Sequence, residues 1–171
     1  MHAVVFTQSV IAHRAIVTML RAAGLAVCEF TGSTAPSARH EAIRAFQASG
    51  EARTGEAKVF VITIKTGSVG ITLTAASRVY LFEPCFDPAT EVQAAGRIHR
   101  LGQTQDVLIK RFAFRDSLDE NICRLHERLR QPGSSHLAVV DGNVPAAAIR
   151  ILTGADDAGD AGTNNKKSRA S

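Results

Sequence analysis

The chain has 171 residues, 45% of them hydrophobic and 21% charged, enough to bury the core of one globular domain. Twenty Lys and Arg against sixteen Asp and Glu leave a formal charge of +4, which suits an anionic partner but is equally common in domains without one. Aromatic residues are only 5%, with no Trp and one Tyr, which argues against a single-strand binder built on base stacking and directs any nucleic-acid contact to phosphates.

Residues 3–7, AVVFT, read as a buried strand. The opening MHAVVFTQS is too short an apolar run for a signal peptide or a membrane span, so a soluble intracellular protein is expected. A helix follows in residues 9–24, with Ser9 as N-cap, Ala12, Ile16, Met19 and Ala23 as the apolar stripe and Gly24 as the stop. Residues 25–30, LAVCEF, make a second strand. TGSTAPSARHEAIRAF then turns and enters a helix near Pro36, whose missing N–H is not needed in a first turn. Residues 50–57 are a polar loop. KVFVITI, residues 58–64, is continuous and β-branched, the pattern of a strand covered on both faces.

The loop KTGSVGITL leads to the strand RVYLFE, residues 78–83. Asp87 and Pro88 open a helix that carries Gln93, Arg97 and Arg100 on one face. DVLIKRFAF, residues 106–114, is a further strand. SLDENICRLHERLR begins with a Ser117–Glu120 capping box and buries Leu118, Ile122, Leu125 and Leu129. Pro132 and Gly133 end it. A weak strand, HLAVV, and a short helical stretch, PAAAIRIL, come next. Residues 154–171 have little to bury and should be disordered. The alternation predicts an α/β structure with a mainly parallel sheet and active loops at the carboxyl ends of its strands.

Cys28, Cys85 and Cys123 are odd in number and widely spaced, with no C-x-x-C pair, so neither zinc nor a disulfide framework is expected. In KTGSVG, Gly67 and Gly70 let the backbone approach a phosphate or sugar, and Lys65 adds a cation. The alternative is a turn that merely needs positive φ. No Walker A pattern occurs anywhere in the chain. Arg97 and Arg100 are separated from Gln93 by small or apolar residues rather than by supporting acids. They are either arginine fingers for a γ-phosphoryl group or a solvated basic face. His99 is expected to make a structural hydrogen bond. Ser33, Thr34 and Arg39 form an anion site at a helix start or simply cap it. RLHERLR reads as a solvated face, and KKSR in the tail as a weak nuclear address.

In this order the segments resemble the second RecA-like lobe of superfamily-two helicases, and within them the Swi/Snf-type (sucrose non-fermenting) DNA translocases. AVVFTQSVIAHRAIVTML resembles motif IV, TGSTAPSARHEAIRAF the D-G-S-T block, VITIKTGSVGITLTAASRVYLFEP motif V, and EVQAAGRIHRLGQTQDVLIKRF motif VI; SLDENI resembles the later S-I-E-E segment. Thr31 stands where the family has Asp, Ile64, Lys65 and Ser68 alter motif V, and EPCFDPA replaces D-x-x-N-P. This form is most similar to the SHPRH-type branch, which carries a RING module; RING cysteines are absent here.

The resemblance implies a single RecA-like (P-loop NTPase-type) lobe in residues 1–133, a short extension in 134–153 and a disordered tail in 154–171. ATP and Mg²⁺ would be bound jointly with an N-terminal lobe. Arg97 and Arg100 would act on the γ-phosphate, with Gln93 positioning the site and Gly67 and Gly70 beside the nucleotide. Ser33, Arg39, Thr63 and Lys65 would hold the backbone of double-stranded DNA, with no metal ligands of the chain's own. Nucleosomes or ubiquitin-ligase machinery are implied partners, a nuclear location is implied, and no membrane is. The chain opens inside its first strand, as a fragment would. The competing readings are a free-standing, non-catalytic regulatory lobe that binds DNA or a motor, and a lobe from an RNA helicase.

Overall fold

A computed structural model describes residues 2–51, 57–67, 70–140 and 143–155. The expected disordered tail falls almost wholly outside the described residues. Two compact units are present. One is built from residues up to Cys85 together with Ala89–Phe112, the other from Phe86–Pro88 with the described residues after Phe112.

The first unit contains the five strands β1 (His2–Thr7), β2 (Ala26–Phe30), β3 (Lys58–Thr63), β4 (Arg78–Leu81) and β5 (Leu108–Arg111). They form one sheet in the order β2-β3-β1-β4-β5, every neighbouring pair parallel. Parallel neighbours need crossovers, and the helices α1 (Val10–Ala22), α2 (Pro36–Glu51), α3 (Ile64–Gly67) and α4 (Pro88–Ala95) lie in them. The expected α/β class, a parallel sheet with helices on both faces, is therefore present.

Strand alternation divides the core. Val4, Phe6, Phe60, Ile62, Val79 and Leu81 point to one face, where Phe46 of α2, Leu73 and Ile98 complete a buried cluster. Val5, Val59 and Val61 point to the other, against Ile16 and Val17 of α1. The aromatic centre is edge-on: Phe60 meets Phe30 at 5.6 Å and Phe46 at 5.3 Å between ring centroids.

Ser9 caps α1 as expected, its hydroxyl accepting from the Ala12 N–H at 3.3 Å. Gly24 takes φ +77°, where a side chain would be strained. Of the expected α1 stripe Ile16 is buried, together with His13 and Val17, while Met19 is 71% exposed. The helix lies over β1, β2 and β3, which turns its inner face away from Met19.

In the second unit α5 (Leu118–Leu129) packs with α6 (Ala146–Leu152) through Leu125, Ala148 and Ile151. Ser117 caps α5, but the reciprocal half of the capping box is displaced. Glu120 accepts from the Asp116 N–H at 2.8 Å rather than from Ser117. That N–H, with Arg124 beside it, holds the Glu120 carboxyl below the usual carboxylate range. Arg124, Glu127 and Arg128 are exposed, the solvated face expected of RLHERLR, whereas Leu118 is exposed rather than buried. The expected strand HLAVV is instead a 3₁₀ turn, Ser134–Leu137, followed by one isolated Val140–Asn143 bridge. No neighbouring strand in this unit, among the described residues, offers it a ladder.

Candidate functional site

Two groups of expected site residues follow the carboxyl ends of adjacent strands. After β2, the loop of residues 31–34 is closed by its own side chains. Thr34 Oγ1 accepts from the Thr31 N–H at 3.0 Å, and the Thr31 and Ser33 hydroxyls lie 2.9 Å apart. Arg39 folds back over this loop, donating from Nε to Thr34 O at 2.7 Å and from Nη2 to Gly32 O, with its guanidinium over the Phe30 ring. Ser33 is exposed at the tip; Arg39 is half-buried and shapes the loop. After β3, Thr63 is 4% exposed and its hydroxyl is 2.7 Å from that of Thr66. Lys65 is exposed, and Gly67 closes α3. A Cβ on Gly32 would stand 4.0 Å from Thr66 Oγ1, so the two loops are side by side. Ser33, Arg39, Thr63 and Lys65 thus belong to one neighbourhood. Thr63 and its partner Thr66 are both buried beneath its surface. Ser68 lies outside the described residues.

The arginine segment is not the continuous helix that its spacing predicts. Pro88 begins α4, as expected, but the helix ends at Ala95. Three-residue turns follow, with the Arg97 N–H donating to Ala94 O at 3.1 Å and the Ile98 N–H to Ala95 O at 3.0 Å. Two causes combine. Gly96 weakens the helix by about 1 kcal/mol relative to Ala. The Arg97 carbonyl is also taken by a distant donor, the Leu73 N–H, at 3.0 Å. Gln93 therefore sits on α4, exposed, while Arg97 and Arg100 sit on a tightened turn beyond it. His99 is exposed and makes no ring hydrogen bond among the described residues, contrary to expectation.

Sequence reasoning missed what holds this turn. Arg100 donates from Nη1 to Thr72 Oγ1 at 3.0 Å and from Nε to Gly96 O at 3.1 Å. Gln103 donates from its amide to Thr74 O at 3.0 Å and Ala76 O at 2.7 Å, and accepts from the Gln105 N–H at 2.9 Å. Gln47 of α2 joins in, donating to Thr74 Oγ1 at 3.1 Å and accepting from the Ala75 N–H at 2.8 Å. Residues 97–103 are thereby fastened along residues 72–76, which continue directly from Gly70 (φ +42°) and the loop after β3. Gln103→Ala is expected to remove three hydrogen bonds and cost about 1–2 kcal/mol, read as faster amide exchange at residues 97–105.

Glu83, in the segment EPCFDPA, also does more than its position suggested. Its Oε1 accepts from the Thr7 hydroxyl at 2.8 Å and from the Gln8 N–H, while Gln8 donates to Pro84 O at 3.0 Å. It ties the carboxyl end of β1 to that of β4.

Comparison with known proteins now decides the family. Residues 1–102 match the helicase conserved C-terminal domain. The chain belongs to that family. It is 38% identical over 112 residues to human helicase-like transcription factor, 66% of this chain and 11% of that protein. It is 32% identical over 133 residues to DNA repair protein RAD5B of Arabidopsis thaliana, covering 78% of this chain and 10% of that one. The chain thus spans about a tenth of the length of these relatives. The crystal structure of the C-terminal part of the Fun30 ATPase domain superposes with a TM-score of 0.69 over 92% of this chain and 48% of that one, at 24% identity. This likeness supports the fold. The helicase C-terminal domain seen here is related to those of SNF2-family helicases, and no described helix is long and apolar enough to cross a membrane.

Proposed function

We propose that this chain is the second motor lobe of a Swi/Snf-type DNA-dependent ATPase and translocase, of the SHPRH-type branch, acting in the nucleus in DNA repair or chromatin remodelling. Residues 1–133 act as the lobe and 134–153 as a short extension. The observation that carries the reading is the fastening of the Arg97–Gln103 turn to residues 72–76, the continuation of the glycine loop. A lobe with no Walker A of its own gains from such a rigid turn only if its guanidiniums are delivered to a nucleotide held elsewhere.

ATP and Mg²⁺ are bound by a partner N-terminal RecA-like lobe. In this reading Mg²⁺ is held by that partner lobe together with the nucleotide phosphates. Arg97 and Arg100 meet the charge that builds on the γ-phosphoryl oxygens during transfer, Gln93 positions the site, and Gly67 and Gly70 lie along the nucleotide. Ser33 and Lys65 contact the phosphates of double-stranded DNA, with Arg39 and Thr63 shaping the surface from which they project. Contacts of this kind fix register without reading sequence, as movement along DNA requires. Nucleosomes or ubiquitin-ligase machinery are the wider partners in this reading.

The alternative is a free-standing regulatory lobe without catalytic use of its arginines. One experiment separates them. The chain alone is expected to hydrolyse no ATP, and the chain joined to a Swi/Snf-type N-terminal lobe to hydrolyse it with stimulation by duplex DNA. Stimulation by RNA alone would move the lobe to an RNA-helicase branch. An inactive but folded two-lobe protein would favour the regulatory reading.

A further inference from the structure

The sheet is covered unequally. Among the described residues, the crossovers containing α2, α3 and α4 all pack on the face of Phe60 and Leu81, and α1 alone covers the other. α1 packs mainly on β1, β2 and β3, so the β4–β5 half of that face is the less covered one. A parallel sheet is normally buried on both faces. Here Phe82 is 40% and Phe112 51% exposed, and Tyr80 stacks on Phe112 with 5.9 Å between ring centroids.

This less covered half-face is a shaped groove of 530 Å³, with Ala15, Met19, Val5, Tyr80, Phe82 and Phe112 among its walls and no charged residue lining it. Its α1 wall is apolar where a solvated helix flank would be charged. Ile11, Ala15, Met19 and Ala22 recur at helical spacing, with Ile11 83% and Met19 71% exposed. Ala15 and Ala22 keep this ridge low, as close helix–helix contact requires.

We infer that this groove is the docking site of an amphipathic α-helix from a partner polypeptide, packed alongside α1 and over β4. The spacing supports a helix. A neighbour of α1 at an axis separation of about 9 Å stands two strands away, since strands are about 4.8 Å apart, and so lies over β4. Charge gives the flank. Arg78 and Lys110 share the groove side of the sheet with Tyr80 by strand alternation, and among the described residues neither is in an ion pair. The docked helix therefore presents leucine-type side chains inward, a small residue opposite Ala15, and glutamates on the flank toward Arg78 and Lys110. This inference is independent of any role for Arg97 and Arg100.

Tyr80 is the only Tyr in a chain without Trp, so its emission reports the groove directly. The probe is a helical peptide of about fourteen residues with a Leu/Ala face, a Glu flank and no aromatic residue. It is expected to change Tyr80 emission saturably. Ala15→Glu and Met19→Glu, both at exposed positions of α1 that leave the core untouched, should weaken binding about tenfold or more. A peptide with lysines in place of the glutamates should bind several-fold more weakly, and Lys110→Glu should narrow that difference. Binding unaffected by Ala15→Glu, or no emission change at all in the folded chain, overturns the proposal. So does sedimentation as a dimer that Ala15→Glu dissociates, which would assign the face to a second copy.

Discussion

Under the proposed function, Arg100→Ala, in this lobe joined to a Swi/Snf-type N-terminal lobe, is expected to lower DNA-stimulated ATP hydrolysis about 10³-fold or more while leaving the fold intact. The side chain is exposed, and its bonds within the lobe are to Thr72 Oγ1 and Gly96 O, neither of them buried in the core. Loss of folding therefore cannot explain a deficit of that size. Arg100→Lys keeps a charge but loses the planar fork, and should recover little of the rate. Thr72→Val removes the acceptor and leaves the guanidinium in place. It should lower the rate modestly if Thr72 only aims Arg100. Arg97→Ala should be as damaging, but Arg97 is half-buried and its carbonyl holds Leu73, so its unfolding midpoint must be measured beside its rate. Full ATPase in a folded Arg100→Ala protein would remove that residue from the reaction.

Arg97 and Arg100 stand out in the sequence because they are two guanidiniums among small residues, with no acids to support a solvated face. Their geometry was not legible, because Gly96 alone does not end a helix, and the bond that joins it in doing so links Arg97 to Leu73, far apart in sequence. Periodicity reads only the chain's own turns. The same limit hid Thr72 and Gln103, whose partners lie 28 and 27 to 29 residues away. It also misplaced Met19, since the face that a helix buries depends on which strands it crosses. The parallel sheet, by contrast, was readable from KVFVITI, where an unbroken β-branched run leaves no solvent face. The burial of Thr63 was not, because a Thr at the end of such a strand is equally suited to reaching outward.

The second large effect expected is on stability. Glu91→Ala should destabilise the sheet unit by about 3–5 kcal/mol, the range for removing one partner from a buried ion pair. Glu91 is 4% exposed in the first turn of α4. It accepts from the Cys85 N–H at 2.9 Å and from Arg111 Nε at 2.9 Å, with Arg111 Nη2 bonded to the same carboxylate oxygen as Nε. The substitution takes the carboxylate away from a half-buried guanidinium on β5 and from the Cys85 backbone donor. Glu91→Gln keeps one acceptor oxygen, enough for the Cys85 N–H, but turns an NH2 donor toward the guanidinium, so it should cost about 2 kcal/mol or more. Urea unfolding followed by Tyr80 emission measures these costs in the unit that holds the pair. The Glu91→Ala, Arg111→Ala double variant should lose clearly less than the two single losses together, since each residue strands the other. A simply additive result would mean that the carboxylate acts through Cys85 alone. The pair joins α4 to β5 directly before the turn that carries Arg97 and Arg100. In the two-lobe protein, Glu91→Ala should therefore lower the temperature at which hydrolysis fails, while sparing the rate well below that temperature.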